Sequence, residues 1–258
     1  MGELWFVGLG LGDERGLSRA ALEVLGSCGV VFAEEYTAIA PPGTLERLST
    51  EIGRPIERLS RAQLESEAPI VDALAREPRV ALLVVGDAFA ATTHVALRLA
   101  AERAGHAWRY LPNASILTAA AGFLGLSHYR FGRTVSLPFP APGFEPRSPL
   151  EHIGANRGGG LHTLVLLDLV PEEGRYLGAR EGLELMRARD PSGTFVSDAT
   201  DVAVVARVGR PDAAGWWGAL ARLRRLDFGP PLHAIVVPAA ELHFEESAAL
   251  EKYRVRDR

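Results

Sequence analysis

The segment Val80 to Val85 reads VALLVV, an unbroken apolar run without polar alternation. Ending in the Gly86-Asp87 pair, it fits a strand buried on both faces, and such strands belong to parallel sheets covered by helices on both sides. The residues before and after it agree. Glu3 to Val7 is a short apolar strand running into Gly8, Gly10 and Gly12, after which Leu17, Ala20, Ala21 and Leu25 recur at helical spacing. Val30 to Ala33 reads as a second strand, Leu45 to Ile52 and Ala91 to Ala104 as helices, and Trp108 to Leu111 as a closing strand. Strands alternating with helices predict an α/β domain over residues 1–112 with a mostly parallel sheet.

The remainder, residues 113–258, reads as a second α/β domain. It opens with PNASI (Pro112 to Ile116) and passes through LPFPAPGFEPRSP, Leu137 to Pro149. Proline removes backbone donors and restrains its predecessor, so this segment is expected to be a long loop, serving either as a lid or partner contact or as a plain connector. Strands are expected at Thr163 to Leu169, Val202 to Val208 and Ala234 to Val237. Helices are expected near Ala179 to Ala188, Ala213 to Leu223 and Glu245 to Tyr253. No short repeat is visible, which excludes a solenoid.

Of the 258 residues, 47% are hydrophobic, ample for a buried core. No stretch approaches the roughly 20 apolar residues that span a bilayer, and the opening MGELWFVGLGLGDE lacks the basic region and cleavage site of a signal peptide. The expectation is a cytoplasmic protein with no membrane segment. Cys28 is the only cysteine, which rules out an intrachain disulfide and a cysteine-rich zinc site; beside Leu25 and Val30 it reads as a buried apolar thiol. With 28 basic against 32 acidic residues, nucleic acid is not an expected partner. Arg222, Arg224 and Arg225 read as a solvated helical face.

Gly8-Leu9-Gly10-Leu11-Gly12-Asp13 lets the backbone turn tightly beside a ligand. The dinucleotide fingerprint needs glycine or alanine at its sixth position, and Asp13 there would repel a pyrophosphate, so a Rossmann nucleotide site is disfavoured. Asp13 and Ser18 read instead as helix caps. Asp87 stands just past the carboxyl end of VALLVV, where ligands bind in open α/β sheets, and either meets a cationic or hydroxyl-bearing ligand or caps the helix that follows near Thr92. His94 reads as a packed or helix-surface histidine. His233, entering the strand AIVV after Pro230-Pro231, is a ligand contact or a strand-entry histidine. The histidines at 94, 106, 128, 152, 162, 233 and 243 contain no HExxH and no metal-ligand pair, and GxSxG is missing, so neither a metal site nor a serine hydrolase is expected.

Taken together, GLGLGDE, FAEEYT (Phe32 to Thr37), GDxxxATTH (Gly86 to His94), NASI (Asn113 to Ile116), GLHTLVLLD (Gly160 to Asp168) and LHFEE near the end resemble the diphthine synthase family of the tetrapyrrole methylase superfamily, collinearly over nearly the whole chain. GDxxxATTH and GLHTLxxLD are the specific motifs. Ala88 departs from the pattern, standing where the family usually has proline.

The resemblance implies a tetrapyrrole methylase-like pair of α/β domains with S-adenosyl-L-methionine in the interdomain cleft, and a homodimer. Matched position by position, it implies cofactor contacts at Leu11, Asp87, Ala90, Ser115, Ile116, Leu167, Val208 and His233. It further implies methyl transfer to the amino group of a 3-amino-3-carboxypropyl histidine on translation elongation factor 2, in diphthamide biosynthesis. In-line displacement from a sulfonium needs no nucleophilic side chain, and no catalytic residue is expected. Two rivals stand beside this reading: a corrin methyltransferase on the same fold, and a non-catalytic protein that binds a nucleotide or S-adenosylmethionine.

Overall fold

A computed structural model, which describes residues 1–256, places the VALLVV run inside a parallel sheet. The strands are β1 (Glu3–Gly10), β2 (Val30–Glu34), β3 (Ile56–Leu59), β4 (Arg79–Val85) and β5 (Ala107–Leu111), in the order β3-β2-β4-β1-β5. Each strand pairs in parallel with its neighbours. Val80, Leu82 and Val84 face one side of the sheet with Leu4 and Phe6, and Ala81 and Leu83 face the other with Val7, Leu9, Val31 and Ala33. Helices Ala68–Arg76 and Val95–Arg103 cover the first face, and helices Arg19–Ser27 and Thr44–Ile52 the second. Two covered faces explain why the run shows no alternation: the side chains from Val80 to Val84 all leave water, a gain of about 1.5–3 kcal/mol for each large one.

Caps set the helix starts. Ser18 accepts from the Ala21 N–H at the head of helix Arg19–Ser27, and Asp13 accepts from the Arg15 N–H at the head of a 3-10 turn, as their residue types predict. The helix expected over Ala91 to Ala104 begins only at Val95. Ala91 sits at φ 60°, a left-handed conformation that a helix cannot contain. Cys28 is fully buried, and burial pushes its thiol up to about 11.

This sheet and its helices form one compact unit, Met1–Ile116 with Pro171–Glu173; the other takes Leu117–Val170 and the chain from Gly174 onward. The second unit contains β6 (Val135–Leu137), β7 (Thr163–Leu167), β8 (Leu169–Val170), β9 (Arg175–Tyr176), β10 (Asp201–Ala206), β11 (Ala214–Ala219) and β12 (His233–Val237). Its main sheet runs β11-β10-β12-β7-β6, antiparallel except for β6 beside β7, and β8 and β9 form a separate small hairpin. Leu150, Ile153, Leu183, Met186, Val204 and Ile235 lie in its core.

Three expectations need correction here. The span Ala213 to Leu223 is not one helix: Ala214–Ala219 is strand β11, and only Leu220–Leu223 is helical. Antiparallel pairing to β10, with Trp217 opposite Ala203 and Trp216 opposite Val204, outweighs the apolar spacing that suggested a helix. Strand β10 stops at Ala206 rather than Val208, because Arg207 turns to φ 50°. Strand β7 stops at Leu167, and Leu169 passes into the β8–β9 hairpin. In the proline-rich segment Leu137 closes β6, Pro138 to Arg147 is a loop, and helix Ser148–Gly158 begins inside the segment's end because Pro149 falls in the first turn, where its missing N–H costs nothing.

Candidate active site

Strand β1 lies between β4 and β5, so the loops leaving the carboxyl ends of all three meet at one end of the first sheet. The glycines there answer a steric need. A Cβ on Gly8 would lie 2.7 Å from the Gly86 carbonyl and 2.8 Å from Asn113 Cβ. Gly10 and Gly86, both near φ +80°, exchange backbone hydrogen bonds of 2.9 and 2.8 Å.

Asp87 and Asn113 tie the loops together. The Asp87 carboxylate, 8% exposed, accepts from the Phe89 N–H at 3.0 Å, the Asn113 N–H at 3.0 Å and the Tyr110 hydroxyl at 2.6 and 2.5 Å. Asn113 Nδ2 donates to the carbonyls of Gly8 at 2.9 Å and Gly16 at 3.1 Å. Burial, reinforced by the Asp87 carboxylate, pushes the Tyr110 hydroxyl far above the usual phenol range and keeps it a donor. Asp87 does not cap the following helix, whose first residue is Val95. Leu11, Asp87, Ala90, Ser115 and Ile116 are thus gathered on these three loops, with Ile116 opening helix Ile116–Leu124.

Ala88 is fully buried, and its carbonyl accepts from Thr92 Oγ1 at 2.7 Å and His94 Nδ1 at 2.8 Å, so the loop is pinned without a proline. His94 is a packed histidine, 1% exposed, with Nε2 3.8 Å from Glu34 Oε1. Glu34, equally buried, accepts from the N–H groups of Tyr36 at 2.9 Å and Thr37 at 3.2 Å and from the Thr37 hydroxyl. FAEEYT and GDxxxATTH therefore meet in the fold.

The other candidates gather at one end of the second sheet. Register places Ala206 opposite His233 and Ala234 opposite Leu166, so Val208, beyond β10, His233, opening β12, and Leu167, closing β7, lie at the same strand ends. His233 Nδ1 accepts from the Ala179 N–H at 3.2 Å, which leaves the ring proton on Nε2. That Nε2 is buried near the Phe228 and Pro230 carbonyls without forming a well-shaped hydrogen bond. Burial, with the nearby Arg207 charge, lowers the His233 pKa and keeps the ring neutral.

Sequence reasoning missed Tyr110 and the Asn113 backbone N–H as the partners that hold Asp87, and the Asn113 side chain as the tie to Gly8 and Gly16. Only the alternation in WRYL, which turns Tyr110 toward the same face as Trp108, hinted at the first. It also missed a buried cluster at the far end of β7: His162 Nε2 lies 3.1 Å from Glu246 Oε1, and Arg130 pairs with Glu246 at 2.5 Å. Among the described residues no helix is long and apolar enough to cross a membrane.

Residues 3–223 match the family described as Tetrapyrrole (Corrin/Porphyrin) Methylases. The diphthine synthase of Methanothermobacter thermautotrophicus is 42% identical over 248 residues, covering 95% of this chain and 92% of that protein. The diphthine synthase of Methanocella arvoryzae is 38% identical, covering 96% of each. A crystal structure of a diphthine synthase superposes with a TM-score of 0.88 at 33% identity, covering 98% of this chain and 96% of that one. On fold, motifs and full-length similarity, the chain belongs to the tetrapyrrole methylase family of methyltransferases and, within it, to the diphthine synthases.

Proposed function

We propose that the chain transfers methyl groups from S-adenosyl-L-methionine to the amino group of 2-(3-amino-3-carboxypropyl)-L-histidine on translation elongation factor 2, giving diphthine, and that it acts as a homodimer in the cytoplasm. The observation that carries this reading is the convergence of the β1, β4 and β5 loops on Asp87 and Asn113 at the carboxyl ends of a parallel sheet, which supports Leu11, Ala90, Ser115 and Ile116, carried on those loops, as cofactor contacts. Leu167, Val208 and His233 are proposed as the contacts from the second unit.

The residues present fit such a cofactor. The His233 Nε2–H is a buried donor whose hydrogen bond is still open, suited to an acceptor atom of the ligand. When bound, the cofactor supplies an electrophilic methyl on a sulfonium. Leu11, Ala90, Ile116, Leu167 and Val208 offer apolar surface that keeps water from the reacting atoms. Asp87 acts on loop shape, since its oxygens are engaged by Phe89, Tyr110 and Asn113. No side chain serves as a nucleophile. The acceptor amine attacks in its neutral form, and a reference α-amino pKa of about 8 leaves an appreciable neutral fraction near neutral pH.

Titration calorimetry tests the donor assignment. The expected result is binding of S-adenosylmethionine and its demethylated product, with NAD far weaker because Asp13 occupies the fingerprint position. Tight NAD binding without S-adenosylmethionine binding would overturn it. Light scattering at twice the 27.8 kDa chain mass is expected for the dimer.

A further inference from the structure

Arg207 follows the last residue of β10 and directly precedes Val208, and its φ of 50° is one that a residue with a side chain rarely adopts. Its bonds hold it there. The Arg207 N–H donates to the Leu232 carbonyl at 2.9 Å, and the Arg207 carbonyl accepts from the Arg210 N–H at 3.0 Å. The side chain is 9% exposed; its Nε donates to Asp212 Oδ2 at 2.6 Å and its Nη2 to the Asp212 carbonyl at 3.3 Å. Nη1 donates to the Phe228 carbonyl at 3.2 Å and to the Pro230 carbonyl. One side chain thereby ties the exit of β10 to the turn that leads into β12.

The same two carbonyls face His233. Its Nε2–H lies beside those of Phe228 and Pro230 without a well-shaped bond to either, while Nδ1 accepts from the Ala179 N–H at 3.2 Å. A charge-assisted hydrogen bond is about twice as strong as a neutral one, so the guanidinium rather than the imidazole sets where these carbonyls point. Without it, a buried N–H beside two free carbonyls would bond to them, because an unpaired buried donor carries the full cost of its desolvation. Arg207 prevents that closure. Of the charged groups that act on the ring, Arg207 opposes a second proton and Asp227 favours it.

We propose that Arg207 is a positioning residue for the cofactor: by holding the Phe228 and Pro230 carbonyls it keeps the His233 Nε2–H unpaired and available to an acceptor atom of the ligand. The proposal rests on the functional reading above, in which His233 and Val208 touch S-adenosylmethionine. It adds a residue that acts through His233, and whose backbone turn also sets the start of the loop carrying Val208.

The test uses the full chain with Arg207→Gly, Arg207→Gln, Arg207→Lys, His233→Phe and the double variant Arg207→Gly with His233→Phe. Glycine adopts φ 50° freely, so Arg207→Gly removes the guanidinium and keeps the turn; Arg207→Gln serves the same purpose should the glycine variant unfold. In ligand-free protein, NMR of the His233 ring should show its Nε2–H resonance moving downfield in Arg207→Gly and Arg207→Gln as the carbonyls turn to it. The ring pKa, below 6.5 in the wild type, should rise in both and stay low in Arg207→Lys, which keeps the charge. By calorimetry, Arg207→Gly should weaken S-adenosylmethionine about 2- to 10-fold, as much as His233→Phe, and the double variant should lose little more than either alone. Arg207→Lys, with a donor for the carbonyls but no planar fork, should recover part of the loss. An unchanged Nε2–H resonance, or losses that simply add in the double variant, would overturn the proposal and leave the functional reading standing. If the wild type binds no S-adenosylmethionine, the functional reading fails; a shifted Nε2–H resonance then still supports the hold of Arg207 on His233, and an unchanged one removes it.

Discussion

The Tyr110 hydroxyl lies 2.6 Å from one oxygen of the Asp87 carboxylate and 2.5 Å from the other, so the loop leaving β4 is held by a side chain of β5. Between those strands runs β1 with its glycine loop, and the Tyr110–Asp87 contact therefore closes the site's loops across the central strand. Tyr110→Phe should remove that closure and leave a buried carboxylate short of a donor. A stability loss of about 1–3 kcal/mol and weaker S-adenosylmethionine binding are expected together. Denaturant unfolding and calorimetry on the same variant check both; an affinity loss at unchanged stability would mean that Tyr110 touches the ligand rather than the loop.

Gly8→Ala tests the closeness of the loops. Its new methyl would meet the Gly86 carbonyl at 2.7 Å, and neither backbone can yield without breaking the Gly10–Gly86 pair. A cost of about 1–3 kcal/mol or more is expected, with cofactor binding impaired. Gly122→Ala is the control, because nothing lies near its added Cβ in helix Ile116–Leu124; it should stabilise by about 0.5–1 kcal/mol.

Acid should destabilise the second unit through Glu246. Burial alone would raise this carboxyl, but the N–H groups of Ser127 and His243 and the His162 ring together hold it down from 4.5 to about 2. The unfolded chain thus binds more protons across that window, so the contribution is full above 4.5 and is lost as pH falls toward 2; it amounts to about 3 kcal/mol. His162 acts in the same direction, since burial lowers its pKa below 6.5 and protonation below that value favours the unfolded chain. Unfolding free energies at pH 7 and pH 3 measure the loss, and Glu246→Gln should shrink the difference between them.

His233→Phe keeps an aromatic ring against Phe228 but removes both the acceptor for the Ala179 N–H and the Nε2 donor. S-adenosylmethionine should bind about 2- to 10-fold more weakly, the size of one neutral hydrogen bond. Because the ring stays neutral, turnover at saturating cofactor should change far less. A fall in kcat of about 100-fold with binding intact would make His233 a general base.

Strands β1, β2 and β4 were legible because they are buried on both faces, and VALLVV advertises that in one dimension, whereas the edge strand β3, with exposed Glu57 and Arg58 at its centre, carried no such signal and was missed. Asp13 and Ser18 were legible as caps from residue type and spacing. Strand β11 was not: AAGWWGALARL carries apolar residues at helical spacing, and only pairing with β10 decides for strand. The loops of the candidate site could be named from strand ends and motifs, whereas their closure could not. Tyr110 and Asn113 reach Asp87 from more than twenty residues away, Asn113 through its backbone N–H, and no local pattern encodes such a contact. The start of the proline-rich loop depends in the same way on the Asp168 carboxylate accepting from the Phe139 N–H across the β6–β7 pair.

Mass spectrometry of elongation factor 2 carrying the unmethylated 3-amino-3-carboxypropyl histidine, incubated with the chain and S-adenosylmethionine, tests the central claim most directly. The account predicts a mass gain of one or more methyl groups on that one histidine, absent without cofactor and reduced in Tyr110→Phe and Gly8→Ala. An unchanged mass, with a chain that is folded and binds S-adenosylmethionine, would contradict it.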